Sequence, residues 1–288
     1  MTGANPVKQE PPGLPLLAGR SNLMLRVLSS LVLAPAAIAA AYFGGLIFLG
    51  FWAVAALLVL WEWDTLVCAH DRNPVLTISA VTLIGSGLLL ALDWHGTAIA
   101  LVALGVFGVA TLASRVRRTW CTAGLVYAAV LLIAPVLLRN DAHFGFAAMI
   151  FLFVIVWLTD IAAYFVGRTV GGPKLMPGVS PNKTWSGAIG GTLAGVIGGV
   201  VVARQFGIGA LVAPAMVALV LSVVSQAGDL LESAVKRQFS AKDASHLIPG
   251  HGGLMDRLDG FLTAVLAGAL IGLGHGGFDA PARGLMVW

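Results

Sequence analysis

The chain has 288 residues; 58% are hydrophobic and only 10% are charged, with 17 basic and 13 acidic residues giving a formal net charge of +4. A soluble domain carries about a quarter charged residues, so this composition, with a mean hydropathy of +0.93, excludes an ordinary soluble globular protein. The positive balance is not a nucleic-acid signal, because basic residues in so apolar a chain report membrane topology first.

Residues 1–19 are polar and rich in proline and glycine and read as a flexible tail without a cleavable signal peptide. Nine apolar segments follow, each near the length a helix needs to cross the hydrocarbon core. They are 24–43, 46–66, 76–93, 96–113, 120–138, 144–166, 185–203, 208–231 and 257–276. The expected fold is therefore all-α, a polytopic transmembrane helical bundle. Residues 20–143 form its N-terminal membrane helices, and residues 144–288 form a region that carries the chemistry. The second span ends in "WEWD", Trp61 to Asp64, which reads as an interfacial anchor. Cys68 and Cys121 match no metal or redox spacing. In the seventh span Gly187, Gly191, Gly195 and Gly199 recur every four residues, a small-residue ridge for close helix packing.

Alternating the spans across a membrane places all of the 17 lysines and arginines on one side except Arg139, Arg204 and Arg283. The positive-inside rule then puts the N-terminus in the cytoplasm. Two polar loops lie on that same side, 167–184 and 232–256.

These loops and the helix ends beside them are denser in charge than the chain as a whole. In "GDLLESAVKR", Asp229, Glu232, Ser233, Lys236 and Arg237 are spaced to share one helical face, which inside a bundle must meet a cavity or polar partners. In "PGHGGLMDRLD", the glycines make a turn whose N–H groups can converge on an anion. Asp256 and Asp259 follow one helical turn apart. Carboxylates brought together there are costly without a cation, and hard oxygen donors suit Mg²⁺. Upstream, Asp160 and Tyr164 lie late in the sixth span, and the loop after it supplies Arg168, Lys174, Ser180, Asn182, Lys183 and Thr184, donors suited to phosphate. The spacing is not that of a P-loop.

Together these residues resemble the signature of phosphatidate cytidylyltransferases (CDP-diacylglycerol synthases). The matching positions are Ser233, Lys236, Arg237, Lys242, Asp243, His251, Gly252, Gly253, Asp256, Arg257 and Asp259. "DIAAYFVGR" and "SPNKTW" extend the likeness over residues 150–262, while the N-terminal spans share only hydropathy. Ser186 and Gly260 depart from the family pattern, where many members carry Glu and Ser. The resemblance implies an enzyme of phospholipid biosynthesis in the inner membrane that makes CDP-diacylglycerol and pyrophosphate from CTP and phosphatidic acid. It also implies Mg²⁺, a second cation and a homodimer.

On this reading Asp229, Asp256 and Asp259 take the metal. Lys236, Arg237, Lys242, His251 and Arg257 carry catalysis. Asp160, Tyr164, Ser180, Asn182, Lys183, Thr184, Ser233, Asp243, Gly252 and Gly253 bind substrate. Two other readings compete. A CDP-alcohol phosphotransferase would continue "DRLDG" with an Ala-Arg pair, which is missing here. A transporter would show two matching halves with broken helices, and no such halves are visible.

Overall fold

The computed structural model describes residues 31–68, 72–245, 247 and 252–288. The polar tail and the start of the first expected span lie outside the described residues.

From Leu31 onward the described residues are mainly helical. Helix α1 is described over Leu31–Phe43. It is followed by α2 (Gly45–Val67), α3 (Arg72–Ala91), α4 (His95–Leu112), α5 (Arg118–Arg139) and α6 (Gly145–Thr169). A short antiparallel hairpin, β1 (Lys174–Met176) and β2 (Ser180–Thr184), separates α6 from α7 (Trp185–Gln205). Helices α8 (Val212–Gln238), α9 (Met255–Gly276) and the short α10 (Pro281–Met286) complete the chain. Helices α2 to α9 are each long and apolar enough to cross a membrane. The helical membrane architecture and eight of the nine expected spans are thus present, and the described part of the ninth is the short apolar α1.

Helix α8 runs on to Gln238, as the shared helical face of Asp229 to Arg237 implied, so the loop read as 232–256 begins with helical residues. Two features were not expected. The loop after α6 contains the hairpin rather than plain coil. Helix α10 was not foreseen, because six residues are too few to leave a hydrophobic period.

Packing follows from small residues and from caps. Helices α6 and α7 pair closely along the glycine ridge, and Gly187, Gly191, Gly195 and Gly199 are all buried. Two residues out of step, Ile189, Leu193, Ile197 and Val201 form the opposite, exposed stripe of α7. One face is thus smooth and the other bulky, which suits one neighbouring helix and one lipid face. Hydrogen bonds between helices cross the same region. Thr159 on α6 pairs with Ser222 on α8 at 2.7 Å, and Gln226 on α8 donates to Thr192 on α7 at 2.9 Å.

The two halves of the chain meet at α9. Trp52 of α2 stacks on Phe261 of α9 with ring centroids 4.9 Å apart, and Phe153 of α6 packs on the same ring. At the bend from α1 into α2, Gly44 and Gly45 both have positive φ. Arg139 at the end of α5 donates to the carbonyls of Ala41 and Tyr42, closing the end of α1. Helix α10 folds back onto α9, and the Arg283 N–H donates to Asp141, whose other oxygen caps the start of α6.

Candidate active site

Charged side chains gather where β2, the end of α8 and the start of α9 come together. Helix α8 brings Asp229, Glu232, Ser233 and Lys236 because i, i+3, i+4 and i+7 share a face. That face turns toward α9 and the hairpin. Lys236 lies between two carboxylates, with Nζ 2.6 Å from Glu232 Oε2 and 2.5 Å from Asp256 Oδ1. Glu232 is fully buried, and its close approach to Lys236 lacks the direction of a hydrogen bond, so it is an ion pair by distance. Ser233 Oγ reaches only to 3.5 Å from Asp229 Oδ1.

The hairpin carries Lys183 to the same place. Its ammonium pairs with Asp229, both side chains being about a third exposed. Thr184 ends β2 and caps α7, accepting the Gly187 N–H at 3.1 Å. Ser186 donates to the Gly171 carbonyl and contacts Thr184 at 3.0 Å, which ties the two ends of the hairpin loop.

The first turn of α9 is held by acids on both sides. Asp256 accepts from the N–H groups of Gly253, at 2.8 Å, and Ala244, at 3.1 Å. Glu62 of α2 is fully buried and reaches the same turn, accepting from Leu254 N at 2.8 Å, Met255 N at 2.6 Å and Ser245 Oγ at 2.6 Å. Gly252 has φ +84, and a Cβ there would approach Asp256 to 2.9 Å. A side chain would therefore be strained twice, by conformation and by space. The turn Pro249, Gly250, Gly252 and Gly253 was expected to offer its N–H groups to an anion; Pro249 and Gly250 lie outside the described residues, and the N–H of Gly253 is given to Asp256, as those of Leu254 and Met255 are to Glu62.

Asp259 accepts from Gly260 N at 2.6 Å and lies within electrostatic range of Asp229, Glu232 and Asp160. Asp160, on α6, lies within range of Asp229, Lys183 and Arg257. The acids are thus concentrated on three helices, facing lysines and an arginine. Such an arrangement can grip a polyanion and a hard cation together.

A model of the cytidylyltransferase family matches residues 24–272. The chain belongs to that family. Phosphatidate cytidylyltransferase of Brucella suis is 43% identical over 267 residues, covering 91% of this chain and 97% of that protein. The protein of the same name in Brucella abortus is 45% identical over 249 residues, 85% of this chain and 91% of that one. In Bacillus subtilis the likeness is 42% over 130 residues, 43% of this chain and 47% of the relative. The resemblance read from the motifs holds, and with it the enzyme class, a nucleotidyltransferase.

Within this cytidylyltransferase the expected site residues are not equally placed. Lys183, Asp229, Lys236 and Asp256 are joined by ion pairs, and Asp160, Arg257 and Asp259 lie in their field. Arg237 is exposed and donates to the Ala241 carbonyl at 3.2 Å, closing the end of α8. Lys242 and Asp243 are exposed on the loop, and Ser180 and Asn182 lie on β2. Tyr164 points outward, its hydroxyl accepting from Arg168 at 2.8 Å. His251 lies outside the described residues.

Three carboxylates were expected to share a metal. Among the described residues no three His, Cys, Asp or Glu side chains converge as a ready set of ligands. Asp229 is engaged by Lys183 and Asp256 by Lys236. In kind the donors still fit a hard divalent cation, and the like charges around Asp259 are the local feature that a cation would relieve. Sequence reasoning missed the role of Glu62. An ionisable residue inside an apolar span was the signal, and the flanking Trp61 and Trp63 disguised it as an interface.

Proposed function

We propose that this chain transfers the cytidylyl group of CTP to phosphatidic acid, giving CDP-diacylglycerol and pyrophosphate, at a cytoplasm-facing site in the inner membrane. The observation that carries the reading is the meeting of the Lys183–Asp229 and Lys236–Asp256 ion pairs at the ends of membrane helices. A water-soluble nucleotide and a lipid headgroup can both reach such a place. The relatives named phosphatidate cytidylyltransferase support the choice of substrates.

A phosphate oxygen of phosphatidic acid attacks the α-phosphorus of CTP, and the bond from that phosphorus to the bridging oxygen of pyrophosphate breaks. The attacking oxygen is already anionic, so the need for a general base is small. Repulsion between the anions dominates the barrier, and positioned cations lower it. Lys236, held between Glu232 and Asp256, is a fixed ammonium with little freedom to lose when phosphate arrives. Lys183 and Arg257 add positive charge from β2 and α9, and Asp229 keeps Lys183 in place. Asp229 and Asp259, with Asp256, would hold Mg²⁺, which when bound neutralises the triphosphate. A homodimer and a second cation are carried over from the resemblance alone.

Purified protein given labelled CTP and phosphatidic acid in mixed micelles should form labelled lipid and release pyrophosphate one for one. A CDP-alcohol phosphotransferase would instead use CDP-diacylglycerol and an alcohol and release CMP. A transporter would convert nothing. Either outcome would overturn the reading.

A further inference from the structure

The residues with no place in the mechanism above include one buried acid from the N-terminal half. Glu62 lies late in α2, almost two hundred residues from the turn it touches, yet its two oxygens accept three hydrogen bonds there. Oε1 takes Leu254 N–H and Ser245 O–H, and Oε2 takes Met255 N–H. The approach is tight: a Cβ on Gly253 would lie 2.8 Å from Oε1. The next N–H in the turn, that of Gly253, goes to Asp256, which also holds Lys236. Two carboxylates therefore grip one turn from opposite sides, Glu62 from the bundle core and Asp256 from the site.

We propose that Glu62 is a positioning residue of the cytidylyl transfer. It fixes the turn from Gly253 to Met255, so that Asp256 presents its second oxygen to Lys236 and Asp259 keeps its place one helical turn on. The inference rests on the reaction proposed above. A backbone N–H bonded to a carboxylate is among the stronger hydrogen bonds in a protein, and leaving one buried and unmet is costly. Nothing else among the described residues accepts from Leu254 N or Met255 N. Glutamine at position 62 has one acceptor oxygen and turns an NH₂ group toward a donor, so the turn must move. The aromatic stack of Trp52 on Phe261 holds α2 against α9 without Glu62, so the helices should stay paired while the turn loosens.

Labelled CTP and phosphatidic acid are supplied to wild type, Glu62→Gln, Asp256→Asn and the double variant, each purified full-length. Wild-type conversion tests the reaction itself; if wild type makes no CDP-diacylglycerol, the proposed function fails before Glu62 is at issue. Given an active wild type, Glu62→Gln should lower kcat on the order of tenfold or more, with KM for CTP changed by less than about threefold. Because Glu62 acts through Asp256, the same substitution should cost less than about twofold in the Asp256→Asn background. Wild-type kcat in a well-folded Glu62→Gln overturns the proposal. So does a loss that simply multiplies with that of Asp256→Asn, since a general loss of fold would do that. If Glu62→Gln yields no monodisperse protein, Glu62→Asp replaces it, keeping the charge but withdrawing the oxygens by one methylene. The same cycle is then read, and the same two outcomes overturn the proposal.

Discussion

The glycine ridge of α7 offers the sharpest test of packing. A Cβ on Gly191 would lie 2.6 Å from the Thr159 carbonyl oxygen and 2.9 Å from the Ala163 Cβ, about 0.8 Å inside ordinary contact at the nearer atom. One on Gly195 would press on the Thr159 side chain and lie 3.1 Å from Ser222 Oγ, where Thr159 and Ser222 are bonded at 2.7 Å. The obstacles at Gly191 include backbone, which cannot rotate away, so α6 and α7 must part. Overpacking of this kind costs roughly 1–3 kcal/mol, and the broken hydrogen bond at Gly195 adds about 1 kcal/mol. With an unfolding entropy of about 0.6 kcal/mol/K for a chain of this size, that is a fall in Tm of roughly 2–7 °C. The assay is thermal unfolding in detergent beside turnover, for Gly191→Leu, Gly195→Leu and Val201→Leu. Val201 is 60% exposed on the opposite face, so its variant should stay within about 0.5 kcal/mol of wild type. Because β2, with Lys183, leads directly into α7, the two glycine variants should also lose turnover. If both keep wild-type Tm and activity, the ridge does not bear the packing read from it.

Asp229→Asn, Asp256→Asn and Asp259→Asn should each nearly abolish turnover, and combining them should add little further loss, as for groups that act as a unit; near-normal activity of Asp256→Asn at saturating Mg²⁺ would remove it from the site. Chelation should stop turnover and added Mg²⁺ restore it, whereas activity that survives thorough chelation would refute the metal requirement. Lys183→Met should cut turnover about 10²-fold, as for loss of a transition-state donor. Its Tm should hardly move, because the pair with Asp229 is partly exposed and screened. Cysteines placed at Gly178 and Leu247, both exposed, in a chain lacking the buried Cys68 and Cys121, should label only from the cytoplasmic side. Labelling by an impermeant reagent in intact cells would invert the topology and separate the site from CTP.

The spans were legible because each is a long apolar run, and length alone distinguishes a membrane helix from a core helix. The ridge was legible for a related reason: the four glycines fall inside a run already read as a membrane helix, and on a helix a spacing of four lines them up on one face. The hairpin was not legible. Its strands are three and five residues long and rich in charge and proline, and nothing in "KLMPGVSPNKT" alternates cleanly. Pairing of Lys174 with Thr184 and of Met176 with Ser180 depends on α6 and α7 bringing the ends together, which is a tertiary effect.

The site was legible on its own strand of sequence and hidden across the fold. Spacing placed Asp229, Glu232 and Lys236 on one face of α8, and the structure joins Lys236 to Glu232 on that face. Spacing could not say which acids pair with which lysines. Asp256 is held by Lys236 from α8, and Asp229 by Lys183 from β2, so both of these ion pairs cross between elements. Glu62 shows the limit most clearly. In "WEWD" the acid sits between two tryptophans, a pattern that fits a membrane interface. What sets it apart is its partner, an α9 turn that only the packed bundle brings near. Gly260 makes the complementary case: a Cβ there would lie 3.1 Å from the Ser225 carbonyl, so the glycine permits the close crossing of α8 and α9 that sets Asp259 beside Asp229. A serine at that position would have to push the helices apart by a few tenths of an ångström or bond that carbonyl. Either way it would act on the spacing of the carboxylates and not on their identity.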